Sequence, residues 1–437
     1  MSRLIRSAAT GLAATSLLLA ATTSAVGVTA PAADVALVPP ASGTLTRVAA
    51  PSSGPAAAGA TPTQLDGPGD AGLLSATEPF RIIDTRLDVF GPVGPQETAW
   101  YDVTELGLPD DTIAVVLNVT ATQGTAPTSF VSVLDGAAPE GVVPLTSSLN
   151  SARGRDVANL VTVPLVDGLV GLYNDAGWTH LLADIQAIYR RPVAWGASTG
   201  SGYVPVASAR ILDTRQWRPL GAHGYLDVVV PGAPAGTEAV ALTITSTETT
   251  ATTSYVGAWP HDLGEPTRTP NASVLNAYRG SDVPNLAIVA LGDDDLFTLY
   301  NDQGSTHLVV DVVGYFVDGS GSAYYPVPAH RAGQSGSIGA GGEVAFTPAQ
   351  SGLTVPADAT AVALNLTTAS PTRSTYLTAY PTGSARPLAS STNARVGADV
   401  ATAAITRLGP GFTVYNDAGS VRTLVDVQGY FADAPAQ

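Results

Sequence analysis

The sequence predicts an all-β protein built as three tandem antiparallel β-sandwich modules. Three observations carry that reading. One set of landmarks recurs three times along the chain. Between the landmarks, the apolar runs are four to eight residues long, rich in Val, Ile, Thr and aromatics, and bounded by Gly, Asn, Asp or Pro, which is the signature of short strands. After the N-terminal segment no stretch keeps a helical apolar period for three turns with caps.

Residues 1–25 read as a secretory signal peptide, with Arg3 and Arg6 ahead of an apolar run and small residues at Thr23 and Ala25. The run is short for a membrane span, so no membrane association is expected once the signal is removed. Residues 26–76 are dominated by Ala, Pro, Ser, Thr and Gly and read as a flexible stalk. Within it, TLTRVAA at 44–50 is the one segment able to add a strand to a later sheet. Modules are expected at 77–192, 200–318 and 322–433. Each opens with an extended segment: FRIIDTR at 80–86, ARILDTR at 209–215 and HRAGQSG at 330–336, where Gln334 and Gly336 replace the Asp and Arg of DTR. A continuous apolar strand follows: AVVLNVTAT at 114–122, AVALTITST at 239–247, AVALNLTTA at 361–369. Next come a strand holding FVSVL, YVGAW or YLTAY, a polar loop N-x3-G-x-D-V, and a hairpin through YND. In that hairpin Asn174, Asn301 and Asn416 stand ten residues ahead of Asp184, Asp311 and Asp426. A copy of about 115 residues with seven or so strands has the size of a two-sheet sandwich. Each copy carries a full strand set, so each is expected to fold alone. The alternative packing is a single pseudo-threefold β assembly.

The combination of RxLDTR, LNVTAT, LYNDxG and HLxVDVxGYF resembles a repeat module of secreted and cell-surface actinobacterial proteins. It covers roughly 77–433, and it implies export, a β-rich fold and an accessory or surface role; it supplies no active site.

Alternation in LVVDVVGYF puts Val309, Asp311, Val313 and Tyr315 on one face and Leu308, Val310, Val312 and Phe316 on the other. A carboxylate among apolar neighbours needs a partner. The basic residue available in every copy is the first Arg of the opening segment, so clamps are expected between Arg81 and Asp184, Arg210 and Asp311, and Arg331 and Asp426. Arg86 and Arg215 are alternatives in the first two copies only. The polar loops supply Asn150, Asp156 and Asn159, then Asn276, Asp282 and Asn285, then Asn393 and Asp399. These side chains either stabilise their own turns or form a ligand site for sugar hydroxyls or calcium. Their spacing is unlike an EF-hand, so calcium is a weak candidate and no other cofactor or metal is expected. Trp178, Trp217, Tyr255 and Trp259 are candidate stacking residues for a glycan, although Tyr255 and Trp259 at i, i+4 also suit packing within a strand.

Composition narrows the function classes. The chain has 437 residues, Lys+Arg 20 against Asp+Glu 36, a net charge of -16, and no Cys. A nucleic-acid or anionic-membrane partner would need a basic footprint, and every basic residue here is an arginine in an acidic background. GASTG at 196–200 fits G-x-S-x-G but sits in a connector without the strand-to-helix elbow that exposes a nucleophile. The equivalent histidines His180 and His307 become Arg422 in the third copy, so no repeated zinc set exists. The expectation is a non-catalytic, secreted or cell-surface structural or adhesive protein. The alternative is a carbohydrate-binding protein of the cell envelope or of environmental polysaccharides, with an extracellular hydrolase behind both.

Overall fold

The computed structural model describes residues 37, 44–51, 71–192, 200–261, 271–292, 294–348, 353 and 355–433. The expected signal peptide, the Ser198 connector and most of the expected stalk lie outside the described residues. Module 1 contains β1 (Arg47–Val48), β2 (Leu73–Asp84), β3 (Glu97–Asp102), β4 (Thr112–Thr122), β5 (Ser129–Asp135), β6 (Leu149–Ser151), β7 (Val157–Pro164), β8 (Leu169–Asn174) and β9 (His180–Arg190). Its inner sheet is ordered β2-β9-β4-β7 and its outer sheet β1-β3-β8-β5-β6. Module 2 contains β10 (Ser201–Asp213), β11 (Gly224–Val229), β12 (Thr237–Thr247), β13 (Thr253–Pro260), β14 (Leu275–Tyr278), β15 (Val283–Ala290), β16 (Leu296–Asn301) and β17 (His307–Asp318), with inner order β10-β17-β12-β15 and outer order β11-β16-β13-β14. Module 3 contains β18 (Ala323–Gln334), β19 (Glu343–Phe346), β20 (Ala359–Ala369), β21 (Thr375–Pro381), β22 (Thr392–Ala394), β23 (Val400–Arg407), β24 (Phe412–Asn416) and β25 (Arg422–Ala432), with inner order β18-β25-β20-β23 and outer order β19-β24-β21-β22. The only helical residues among those described are the 3-10 turns Val103–Leu106 and Thr214–Gln216.

Two stretches of the expected stalk belong to the fold. β1 pairs with β3 through Arg47 and Val48, Arg47 bridges Asp88 at 2.9 Å, and Leu45 joins the core of module 1. Leu73 and Leu74 open β2 ahead of residue 77. Sparse apolar residues in a Pro/Ala-rich background suffice here because an existing sheet edge offers them partners.

The chain is three sandwiches closed into one pseudo-threefold assembly. Each module has its own core between its two sheets. A fourth core lies between the inner sheets and draws on all three modules. Central strands are therefore buried on both faces, which is why β4, β12 and β20 read as nearly continuous apolar runs. In β12, Val240, Leu242 and Ile244 enter the module's own core while Ala239 and Ala241 face the shared one. Ala114 of β4 and Ala361 and Ala363 of β20 face it too. Small side chains there let the three sheets approach. The expectation that each copy folds alone leaves this face out of account, since an isolated module would expose it. Asp34–Gln437 is one compact unit.

At one end of the axis the opening strands close a ring. Leu74 pairs with Ser201, Tyr203 with Ser322, and Tyr324 with Gly72. The last two pairs exchange both backbone hydrogen bonds at 2.8 and 2.9 Å. Beneath the ring Tyr189 stacks on Tyr324 at 4.3 Å, and Tyr203 packs on Phe431 at 4.2 Å and on Phe316 at 5.1 Å. Tyr203 and Tyr324 donate their hydroxyls to the carbonyls of Val313 and Gln428, each at 2.9 Å, so the buried phenols keep a partner.

A β-bulge overturns the simple alternation in the last strand. Ala241 pairs with Gly314 but Leu242 pairs with Val312, leaving Val313 as an extra residue. The bulge moves Tyr315 to the module's own core and turns Phe316 onto the axis. Gln186 and Gln428 are the extra residues at the same place in β9 and β25. The glycine after the bulge makes room for the axial tyrosine: a Cβ on Gly314 would meet the Tyr203 ring at 2.2 Å, and one on Gly429 the Tyr324 ring at 2.3 Å. Module 1 solves the same contact with Ala187 and Leu74.

The YND asparagine acts through its side chain. Asn174 donates to the carbonyls of Val93, Gly94 and Gly177 and accepts from Ser129 Oγ, tying three segments together. Asn301 and Asn416 repeat the pattern. Gly177, Gly304 and Gly419 carry the positive φ of the turn, near 60° in each copy.

The tyrosine–glycine fit yields a test. Gly314→Ala should destabilise the full chain by about 1–3 kcal/mol through overpacking. Adding Tyr203→Leu, which copies the Leu74–Ala187 solution, should restore at least half of the loss in chemical denaturation. A Gly314→Ala chain as stable as the parent would contradict the packing described.

Candidate functional site

Along the axis, the layer next to the aromatic ring is a set of amide ties between modules. Asn285 donates to Asn118 Oδ1 at 3.0 Å and to its own module's Val274 carbonyl at 2.7 Å. Asn159 donates to Asn365 Oδ1 at 2.9 Å and to Ser148 O at 2.6 Å, and it accepts from the Ala403 amide at 2.7 Å. Gln186 accepts from the Ile288 amide at 3.1 Å, and Gln428 from the Thr162 amide at 3.3 Å. Asn159 and Asn285, expected on a ligand loop, are instead fully buried seam residues with their hydrogen-bonding capacity spent. By the cyclic order the third seam, between modules 2 and 3, should set Thr402 against Thr243. Both are threonine where the other copies have asparagine, and Val313 stands there in place of glutamine.

The next layer holds the arginine–aspartate clamps. Arg81 Nε donates to Asp184 Oδ1 at 2.7 Å and Nη2 to Oδ2 at 3.1 Å. Arg210 makes the same fork to Asp311 at 3.0 and 3.2 Å, and Arg331 makes it to Asp426. The three carboxylates are at most 1% exposed. Burial pushes all three carboxyls up and the guanidinium beside each opposes the shift. Asp184 also accepts from the Ser273 amide of module 2 at 3.1 Å, so that clamp reaches a seam. Arg86 and Arg215 fold back onto Asp84 and Asp213 of their own DTR turns. The Arg215 hydrogen bond holds the Asp213 carboxyl below its usual value. The degraded HRAGQSG copy thus loses the local turn pair and keeps the clamp.

Beyond the clamps the three polar loops converge on one cavity of about 1200 Å³ whose walls come from all three modules. Asn150, Asn276 and Asn393 line it, paired across their sheets with Phe130, Tyr255 and Tyr376. Asp156, Asp282 and Asp399 line it too, but their Oδ1 atoms accept from Thr122 Oγ1, Thr247 Oγ1 and the Ser370 amide. Gly154, Gly280 and Gly397 give the loops their positive φ. At the rim Leu145 and Leu388 are 91% and 93% exposed, so the cavity opens to solvent.

Several wall atoms lack partners. Asn276 Nδ2, Asn150 Oδ1, Thr245 Oγ1 and Thr367 Oγ1 are buried without a hydrogen bond. Asn276, Thr245 and Thr367 are 8%, 7% and 5% exposed. Buried polar groups are almost always satisfied, so a group of them around one open cavity marks where a ligand or solvent supplies the bonds. The loops also bring up Arg155, Tyr278 and Arg395. Arg155 lies 4.4 Å over the Tyr278 ring and donates to Ser281 Oγ at 3.2 Å. Burial, together with the nearby charge of Arg155, lowers the Arg395 guanidinium from its usual value. Sequence reasoning missed Thr245, Thr367, Arg155, Tyr278 and Arg395. The signal lay in the loop position where the copies differ most, Ala152, Tyr278 and Arg395.

The candidate stacking residues lie away from the cavity walls. Tyr255 and Trp259 pack on Tyr300 with Tyr225 in the outer sheet of module 2, tilted or edge-on at 44–81°. They present no flat platform. Trp178 and Trp217 are exposed on separate turns, and Trp217 lies against Arg218 at 4.6 Å. Among the described residues no group of three or more His, Cys, Asp or Glu is arranged to hold a metal ion, and no helix is long and apolar enough to cross a membrane.

The clamp geometry predicts a coupling. Asp311→Ala should destabilise the full chain by about 2 kcal/mol, below the usual 3–5 for a fully buried pair because Arg210 is 31% exposed. Arg210→Ala should act likewise, and the double variant should lose less than the two single losses added, because each single change strands the other charge. Additive losses would mean that the two side chains do not act as a pair.

No family model matches the chain, and no curated protein matches it. Among solved structures, one described as the triple jelly roll fold and turret assembly in an archaeal virus is 10% identical, with 83% of this chain and 91% of that chain covered and a TM-score of 0.17. The Sulfolobus turreted icosahedral virus structure is 11% identical over 83% and 92%, with the same TM-score of 0.17. The tandem CBM22 domain of Paenibacillus barcinonensis Xyn10C is 10% identical, covering 56% of this chain and 96% of its own, again at 0.17. Likenesses at this level carry no argument about what the chain binds.

Proposed function

We propose that this protein is a non-catalytic, secreted or cell-surface binding protein that holds a glycan in the axial cavity and acts as an adhesive module through it. The observation that carries this reading is the set of buried, unpaired polar atoms on Asn276, Asn150, Thr245 and Thr367 around one solvent-open cavity. An amide donor, an amide acceptor and two hydroxyls match sugar hydroxyls, each of which both donates and accepts. A catalytic reading lacks its parts, because Asp156, Asp282 and Asp399 are engaged by the Thr122 and Thr247 hydroxyls and the Ser370 amide at the ends of β4, β12 and β20, and no activated nucleophile faces them among the described residues.

The test compares the cavity with the exposed tryptophans in pull-downs on peptidoglycan, chitin and cellulose. Asn150→Ala combined with Asn276→Ala should weaken retention on the bound polymer about tenfold, while Trp178→Ala with Trp217→Ala should leave it unchanged. The reverse pattern would move the site to the surface turns. Retention on none of the three polymers or on soluble fragments of them would contradict the glycan reading.

A further inference from the structure

The unpaired wall atoms of Asn150, Asn276, Thr245 and Thr367 call only for neutral hydroxyls, but the cavity also carries positive charge. Arg155 from module 1 and Arg395 from module 3 line the cavity together with Tyr278 from module 2, Arg155 lies 4.4 Å over the Tyr278 ring, and the charge of Arg155 reaches Arg395. Neither guanidinium has a carboxylate within ion-pair distance among the described residues. Arg155 spends one donor on Ser281 Oγ, and the side chain of Arg395 makes no hydrogen bond. Among the arginines that line the cavity, these two are the ones without a carboxylate partner. The other three arginines lining the cavity, Arg210, Arg215 and Arg331, fork onto aspartates. Like charges brought together raise each other's energy, and an anion placed between them removes that cost.

Resting on the glycan reading above, we propose that the cavity selects a sugar residue bearing a single carboxylate, held by Arg155 and Arg395 while Asn150, Asn276, Thr245 and Thr367 take its hydroxyls. Guanidinium forks match the planar carboxylate by paired hydrogen bonds, and the Tyr278 ring beneath Arg155 holds that guanidinium in place. Asp156, Asp282 and Asp399 also line the cavity, with Asp175 and Asp417. They repel a densely charged polyanion and leave room for one negative charge at the axis, so the fitting ligand is an isolated acidic sugar in an otherwise neutral chain.

The experiment titrates the full chain with two matched pairs by calorimetry: the disaccharide GlcNAc–MurNAc against chitobiose, and cellobiouronic acid against cellobiose. The acidic member of at least one pair should bind tenfold or more tightly than its neutral partner, and the ratio should fall as NaCl rises from 20 to 500 mM. Arg155→Gln and Arg395→Gln should each bring the ratio toward one. Arg153→Gln, which removes an exposed side chain bonded only to the Thr125 carbonyl, should leave it unchanged. If either cavity variant fails to fold, the salt dependence of the parent chain decides alone. Equal binding of both members, or a ratio indifferent to salt, overturns the acidic-sugar assignment and leaves the glycan reading standing. No binding of any of the four up to 10 mM, together with no retention on the polymers, overturns both.

Discussion

The inner sheet of every module is buried on both faces, and the rest of the structure follows from that double burial. One face closes the module's own sandwich, and the other meets its two counterparts on the pseudo-threefold axis. A strand in this position accepts a charged side chain only where it is paired, as at Asp184, Asp311 and Asp426, and a large one only where its neighbour makes room. Hence the alanines of β4, β12 and β20 on the axial face, the branched residues on the other, and the glycine that admits Tyr203 or Tyr324. Each buried CH₂ contributes about 0.8 kcal/mol, so a shared core of aromatic, branched and alanine side chains outweighs the entropy of holding three short-linked modules together.

The parts of this arrangement that lie within one module were legible in the sequence. The triplicated landmarks define the strands, and residues at the same place in every copy, Arg81, Arg210 and Arg331 on one side and Asp184, Asp311 and Asp426 on the other, stand at the distances of paired charges. What lies between modules was not legible, because period-two alternation assumes an uninterrupted ladder. The bulge at Gln186, Val313 or Gln428 breaks the ladder and reverses Tyr315 and Phe316. The edge strand at Arg47 was legible only as an alternative to a stalk, in TLTRVAA at 44–50, because a two-residue pairing leaves no periodicity to detect.

A subtler signal was present and unread. Asparagine becomes threonine at position 243 in the second copy and at position 402 in the third, and glutamine becomes valine at 313 in the second. Taken copy by copy these look like unrelated drift. Placed around the axis, all three fall on the one seam between modules 2 and 3. Two seams carry amide hydrogen bonds; in the third, by the cyclic order, threonine and valine stand in their place and Tyr203 packs on Phe431. Triplication has the same consequence at the cavity. Three equivalent loops deliver three different residues to the axis, Ala152, Tyr278 and Arg395, so a nearly symmetric scaffold carries an asymmetric site. A single module has no such surface, since each contributes only a third of the wall.

The central claim is that the three modules unfold as one. Native-state hydrogen exchange of the full chain, followed in denaturant at the buried amides of β4, β12 and β20, tests it directly. A shared axial core predicts that these amides of all three modules exchange at one common opening free energy, with a denaturant slope scaled to the whole described fold. Three separate free energies, each with the slope of a unit of about 115 residues, would show that the sandwiches are independent and that the axis is a contact between folded domains.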